Sequence, residues 1–449
     1  MANQGAGGQP VYILKEGSTQ SKGRDAQYFN IMAAMAVAEA IKSTLGPKGM
    51  DKMLVDPTGN VTVTNDGATI LREVQIEHPA AQMIVEVARA QDDEVGDGTT
   101  TAVIFAGELL KKASELMEMD IHPTVIASGY RLAADKAEQI LGTIAIPVAK
   151  TDRNLLEKIA FTAMTGKGAE SGGGKLSKLA VDAVLAVEEN GKVDIDNIKV
   201  EKKVGSGAMA SELIKGIALG KSRISDSMPK SVKNPRILLL NAAMEIKKTE
   251  VTASIKIKNP RQMKTFLDKE EEMLLKKVDY ISKSGANVVF CQKGIEDLVA
   301  SFLGKNGIMA IKSVSESDMG KLARATGARV VTKIEEIDPK DLGSAGLVEE
   351  RRIGEDSLTF VEGCKNPKAV TAFMRASTNT VVDELERALH DALRVVGAVI
   401  EDKKIVPGGG APEVELGLRL KQFAPTVGGR EQMAIEAFAG ALDVIPRTL

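Results

Sequence analysis

The chain has 449 residues, more than one hydrophobic core usually serves, so two or three domains are expected. Its 59 Lys and Arg nearly balance 61 Asp and Glu, and with no Trp, 4 Tyr and 10 Phe it offers neither a basic stripe nor base-stacking surfaces, so nucleic acid and anionic membrane are not indicated. The longest apolar stretches fall far short of a membrane span, and the start MANQGAGGQP does not read as a signal peptide, which points to the cytoplasm.

A glycine-rich leader precedes an alanine-rich helix expected over 26–45, which stops at LGPKG because Gly-Pro-Lys-Gly cannot continue it. DKMLVD and NVTVT flank the turn PTGN and read as a hairpin, with Asp66 the expected N-cap of the helix opening at NDGATILREV. Helices are expected next at 79–92, 99–118 and 124–142. His78 and His122 each precede a proline where a helix begins and read as boundary residues; with His390 they show no metal-ligand spacing. Cys291 and Cys364 lie far apart and form no CxxC, as in a reducing compartment.

Residues 92–101 read DDEVGDGTTT. Apolar Ala102, Phe105, Leu109, Ala113 and Leu116 recur at helical spacing, so a helix starts near Thr99 and its first turn has unpaired N–H groups that attract anions. Gly96 and Gly98 remove the Cβ atoms that would keep a phosphate from the backbone. Thr99, Thr100 and Thr101 add donors, and Asp97 supplies a hard oxygen for Mg2+. The competing reading makes Asp97 only a turn and capping residue.

Helices at 153–164 and 175–189 lead to the strand NIKVEKKVG. From about 236 the short apolar runs RILLLNAA, NVVFCQ, IMAIKSV and ARVVT alternate with helical patterns, which indicates an α/β layer. An insertion at 245–283 carries an amphipathic stripe, Met263, Phe266, Leu274, Val278 and Ile281, which periodicity alone assigns to a core. Beyond 370 the chain returns to helix in VVDELERALHDALRVVGAVI, then VPGGGAP opens another. The order helical, mixed, α/β, mixed, helical suggests nested domains. GIALGKS and GAESGGGK imitate a phosphate loop, but the first is one residue short and the second lacks the hydroxyl residue; 171–174 reads as a flexible loop.

LGPKG, VTNDGATIL, VGDGTTTAV, TGKGAE, NVVFCQKGI, LARATGA, VEGCKNPKA and GGGAPEVE stand in the order and relative spacing found in the group II chaperonins, the archaeal thermosome and its eukaryotic cytosolic relatives. The chain resembles that family over essentially its whole length. The resemblance implies a multidomain α and α/β chaperonin fold. A helical equatorial ATP-binding domain would comprise 1–149 and 407–449, an α+β intermediate hinge domain 150–218 and 371–406, and an α/β apical domain 219–370 with a lid protrusion at about 245–283. It raises the partner-binding reading of the 245–283 stripe above the core-only one.

The resemblance also implies ATP and Mg2+ as ligands and an ATPase that drives protein folding. Leu45, Gly46 and Pro47 would line the nucleotide pocket, Asp97 would bind Mg2+, and Gly98, Thr99, Thr100 and Thr101 would hold phosphate oxygens. Gly409 would lie by the ribose, Lys167, beside Gly166, would sense the γ-phosphate, and Asp66 and Asp391 would act on the attacking water. Implied partners are unfolded or partly folded clients, like subunits in a homo- or hetero-oligomeric double ring, and prefoldin. Three departures stand out: MRAST at 374–378, SGGGK after TGKGAE, and an end at DVIPRTL where the family continues. The last predicts a chain lacking the C-terminal part of the equatorial domain, with Leu442, Val444 and Ile445 losing burial. The leading reading is an ATP-dependent protein-folding chaperonin subunit that closes a built-in lid over a cavity; the alternative is an assembly-defective, protein-binding fragment of one.

Overall fold

The computed structural model describes residues 21–59, 61–166, 173–205, 207–245, 260–365 and 367–449; at 173, 260–268 and 270 it describes the backbone alone. The first stretch is helical around one hairpin: α1 (Gly23–Lys42), β1 (Lys52–Val55), β2 (Val61–Thr64), α2 (Gly67–Glu73), α3 (Pro79–Val95), α4 (Thr99–Glu118) and α5 (Pro123–Ile144). The hairpin is antiparallel, pairing Lys52 with Thr64 and Val55 with Val61. His78 and His122 cap α3 and α5, each of which begins with proline, their Nδ1 atoms accepting from the N–H groups of Ala80 and Thr124 at 3.2 and 3.3 Å.

Helix α4 is buried on two sides, so the single stripe read from its sequence is half of its packing. Val103 joins Ala34, Val37 and Ile41 of α1 and Ile84 and Ala88 of α3 in one core, while Phe105 and Leu109 join Ala133 of α5 and Phe438 in another. Small residues let α1 approach: a Cβ on Gly107 would collide with that of Ala38. On the other side Phe105 meets Phe438 edge to face at 5.4 Å.

The chain leaves through β3 (Ile146–Pro147) and builds a second body from α6 (Arg153–Met164), α7 (Gly173–Val187), β4 (Glu188–Glu189), β5 (Lys192–Val193), β6 (Ile198–Val204) and β7 (Glu212–Ile214). Gly173 and Gly174 belong to α7, so the glycine run expected as a loop over 171–174 is helical in its second half; 171 and 172 lie outside the described residues.

The third body contains β8 (Gly216–Leu219), β9 (Ser231–Lys233), β10 (Arg236–Leu240), α8 (Pro260–Ser284), β11 (Val288–Cys291), α9 (Asp297–Lys305), β12 (Met309–Ile311), α10 (Glu316–Thr326), β13 (Val330–Val331), β14 (Gly343–Ser344), β15 (Leu347–Ile353) and β16 (Asp356–Glu362). The strands run β12-β11-β10-β13 in parallel, with β14 antiparallel to β10. Apart from Arg236 at its start, β10 is buried on both faces together with β11 and β12, as a parallel sheet between helices requires. Ile237, Leu239, Val288 and Phe290 face Met319 and Leu322 of α10, whereas Leu238, Leu240 and Val289 face α8 and α9. Helix α8 contributes Leu274, Val278 and Ile281 to that second core. This half of the insertion's stripe is therefore core, against the partner-binding expectation, because α8 must cover the sheet; Met263 and Phe266 lie outside the described side chains.

β17 (Val370–Ala376) returns between β6 and β7, parallel to the first, carrying Met374, Arg375 and Ala376 of the MRAST stretch in regular strand. α11 (Asn379–Asp402), N-capped by Thr378, covers this sheet with α6 and α7. β18 (Lys404–Ile405) then pairs with β3, so the outgoing and returning chains leave the first body side by side. α12 (Ala411–Val427), α13 (Gly429–Ala441) and α14 (Val444–Thr448) complete that body. Leu442 and Ile445 are buried and Val444 is half-buried, which corrects the expectation that they lose their cover: Leu442 packs with Leu416, Leu420 and Phe438. Among the described residues no helix is long and apolar enough to cross a membrane.

Candidate nucleotide site

Helix α3 stops at Val95 because Gly96 turns to φ +77° and its N–H bonds back to the carbonyl of Gln91. Gly98, at φ +78°, is the N-cap of α4 and has no side chain with which to close its first turn. Asp97, between them, accepts the Gly98 N–H through Oδ1 at 2.8 Å, and Gln91 Nε2 donates to its backbone oxygen at 2.9 Å. The turn is thus held from within. A twenty-residue helix leads away from it with its first amides free of side-chain caps.

A second helix start converges on the first. Asp66 caps α2, its Oδ2 accepting the Thr69 N–H at 2.8 Å, while Thr99 Oγ1 lies 3.4 Å from its Oδ1. Gly67 allows this approach, since a Cβ there would stand 2.6 Å from Thr100 Oγ1 and 3.1 Å from Thr100 N. Thr99 is 4% exposed and Thr100 9%, so both side chains are packed against the start of α2 rather than turned to solvent. Gly46, at φ +80°, opens the LGPKG turn, closed by the Gly49 N–H on its carbonyl at 2.9 Å. Asn65 Nδ2 donates to the backbone oxygen of Gly166, and the Gly46 oxygen and Pro47 Cα lie 3.6 and 3.7 Å from where a Cβ on Gly166 would be. Gly46, Pro47, Asp66, Asp97, Gly98, Thr99, Thr100 and Gly166 therefore belong to one neighbourhood, with Thr101 in the same helical turn.

Other expected residues stand apart. Leu45 lines an adjoining cleft of about 760 Å³ with Lys42, Lys111 and Arg447. The Leu449 side chain covers Gly46. Gly409 has φ +72°, and among the described residues nothing lies within 4 Å of a Cβ built on it. Lys167 lies outside the described residues. Gly96 does not bare the backbone for an anion: its open side is filled by Arg394, whose Cγ is 2.5 Å from where a Cβ would stand.

That arginine belongs to α11, which brings the second body onto the turn. Arg394 Nη1 donates to the backbone oxygen of Asp93 at 2.7 Å. Asp391 precedes it by one helical turn on the same side of α11 and is 7% exposed. Burial pushes the His390 imidazole below its usual value; the Arg394 charge adds to this and Asp92 opposes it. Burial raises the Asp92 carboxyl, helped by the charge of Asp66 and opposed by His390 and Arg72, which lies 3.5 Å from it. Burial also raises Glu384, with Asp66 and Asp51 adding to the effect against its partner Arg387. Asn65, Asp92, Glu384, His390 and Arg394 were missed by sequence reasoning. Only Asn65 and Asp92 carry a signal, standing inside two of the quoted motifs.

The sequence pattern of the TCP-1/cpn60 chaperonin family matches residues 37–449. The chain belongs to this family. It is 56% identical over 446 residues to the thermosome subunit beta of Archaeoglobus fulgidus, covering 98% of this chain and 82% of that one. It is 55% identical to the thermosome subunit beta of Methanothermobacter thermautotrophicus, over 99% and 82% of the two chains, and 56% identical to the thermosome subunit of Methanopyrus kandleri, over 100% and 83%. These matches make it a group II chaperonin, an ATP-driven protein-folding machine, and nothing in them favours the assembly-defective fragment.

The residues present fit a magnesium nucleotide. Among the described residues no three His, Cys, Asp or Glu side chains form a ready metal cage. Mg2+ needs none, since it is commonly held by one or two carboxylates together with the phosphates themselves. Asp97 and Asp66 offer such carboxylates, and the uncapped start of α4 offers donors for the phosphates.

Proposed function

We propose that ATP binds with its phosphates at the start of α4, where Gly98, Thr99, Thr100 and Thr101 donate to phosphate oxygens, and that Asp97 holds the Mg2+. Bound Mg2+ would neutralise phosphate charge and polarise the terminal phosphoryl group. The observation that carries this reading is the convergence of two helix starts, α2 and α4, through Asp66, Gly67, Thr99 and Thr100. Acidic groups crowd this point, so an anionic ligand needs a cation with it. Gly46 and Pro47 form the wall beside Gly166, and Leu45, Gly409 and Lys167 are assigned to base, ribose and γ-phosphate on the family resemblance alone.

In this reading Asp66 and Asp391 orient the attacking water or take its proton. Asp66 stands at the α2 cap, hydrogen-bonded to Thr69, and Asp391 is delivered by α11 of another body. Hydrolysis thus depends on the two bodies meeting, which couples ATP to domain position. The helical body, 1–149 with 407–449, is the equatorial domain; 150–218 with 371–406 is the intermediate domain; 219–370 is apical, with the lid at about 245–283. Subunits form a homo- or hetero-oligomeric double ring in the cytoplasm, take unfolded clients and receive some from prefoldin.

Native mass measured with and without Mg-ATP, together with ATP-dependent recovery of a denatured client enzyme, tests the reading. A particle many times 47.7 kDa that restores activity only with hydrolysable ATP is the expected result. A monomer that restores none would contradict it.

A further inference from the structure

We propose that Arg394 is a positioning residue for hydrolysis, fixing the turn that carries Asp97 against the helix that carries Asp391. This rests on the roles given above to those two carboxylates. Two contacts carry it, and both end on the α3–α4 turn. Arg394 Nη1 donates at 2.7 Å to the carbonyl of Asp93, one of the last four of α3 and so without an intrahelical partner. Its stem lies over Gly96, where an added Cβ would collide with Arg394 Cβ and come within 2.5 Å of Cγ and 3.4 Å of Cδ. Gly96 is the residue before Asp97, and Asp391 lies one turn from Arg394. The arginine therefore links the turn that carries one carboxylate to the helix that carries the other.

The Arg394 Nε is buried and makes no hydrogen bond among the described residues, so the side chain is held at the turn by its Nη1 bond and by its stem. Misplacing reacting groups by about 1 Å can cost on the order of 100-fold in rate, so loosening this link acts on turnover far more than on binding.

Nucleotide affinity and turnover are measured for Arg394→Ala, Arg394→Met, Arg394→Lys and Asp391→Asn, with melting temperature as a check on folding. Arg394→Ala is expected to lower kcat at least about tenfold with affinity within about twofold, Arg394→Lys recovering part of the loss. In the Asp391→Asn background, Arg394→Ala should cost nothing further, because the group it positions is already gone. Arg394→Met keeps the stem over Gly96 and decides the matter if the alanine variant fails to fold. Unchanged kcat in the folded arginine variants beside an inactive Asp391→Asn overturns this proposal alone, as do losses that multiply in the double variant. Unchanged turnover in Asp391→Asn overturns both this proposal and the site reading beneath it.

Discussion

Asn65 Nδ2 donates a hydrogen bond to the backbone oxygen of Gly166, 101 positions along the chain. Asn65 is 7% exposed, so water cannot freely replace the bond. It ties the segment before α2 to the turn that follows α6, across two bodies. Asn65→Ala would leave the carbonyl without this donor, at a cost of about 1–3 kcal/mol. Hydrogen exchange at Thr165 and Gly166 should accelerate accordingly, and Asn65→Asp should be worse, since it sets a carboxylate against a carbonyl oxygen. Unaltered exchange in both variants would show that the turn is held by other contacts.

Asp97→Ala should weaken Mg-ATP binding itself and raise the Mg2+ concentration required, because a carboxylate is lost where acidic neighbours already disfavour bare phosphate. Its hydrogen bond to the Gly98 N–H is local, so the fold should survive the change. Titrating Mg2+ at fixed ATP gives the answer. An identical Mg2+ requirement would leave Asp97 as a turn residue.

How much of this was legible beforehand depends on distance along the chain. The helix start at Thr99, the Asp66 cap, the hairpin around PTGN and the alternation of strand and helix after 236 rest on local patterns, and all appear in the fold. The two-sided burial of α4 did not, because Val103, Ile104 and Gly107 form a second stripe that a search for one face passes over. Gly96 was misread for a related reason: a residue without Cβ signals a close approach but not by what. Nothing in the local sequence says that Arg394, nearly 300 positions on, fills the space. The stripe on α8 failed the other way, since the resemblance outweighed a periodicity that had named Leu274, Val278 and Ile281 as core.

His390 makes the junction of α11 and α3 sensitive to acid. Its folded value is depressed from 6.5, by burial first and then by Arg394, so below that pH the unfolded chain binds the extra proton more readily. Stability should therefore fall as pH drops from 6.5 through the lower folded value, and be unaffected by this group above it. His390→Gln should flatten that part of the profile. Chemical denaturation followed across pH 5 to 8, about one unit or more to either side of the ordinary value, checks it. An equally steep decline in the variant would place the sensitivity elsewhere.

The central claim is that hydrolysis needs a carboxylate from α11 at a nucleotide held by α4. Nucleotide affinity and single-turnover hydrolysis measured side by side for the parent chain and Asp391→Asn test it most directly. The account predicts affinity within about twofold and a rate lower by on the order of 100-fold or more, since the group acts in the transition state rather than in binding. Hydrolysis at the parent rate, or affinity and rate falling in equal measure, would contradict it.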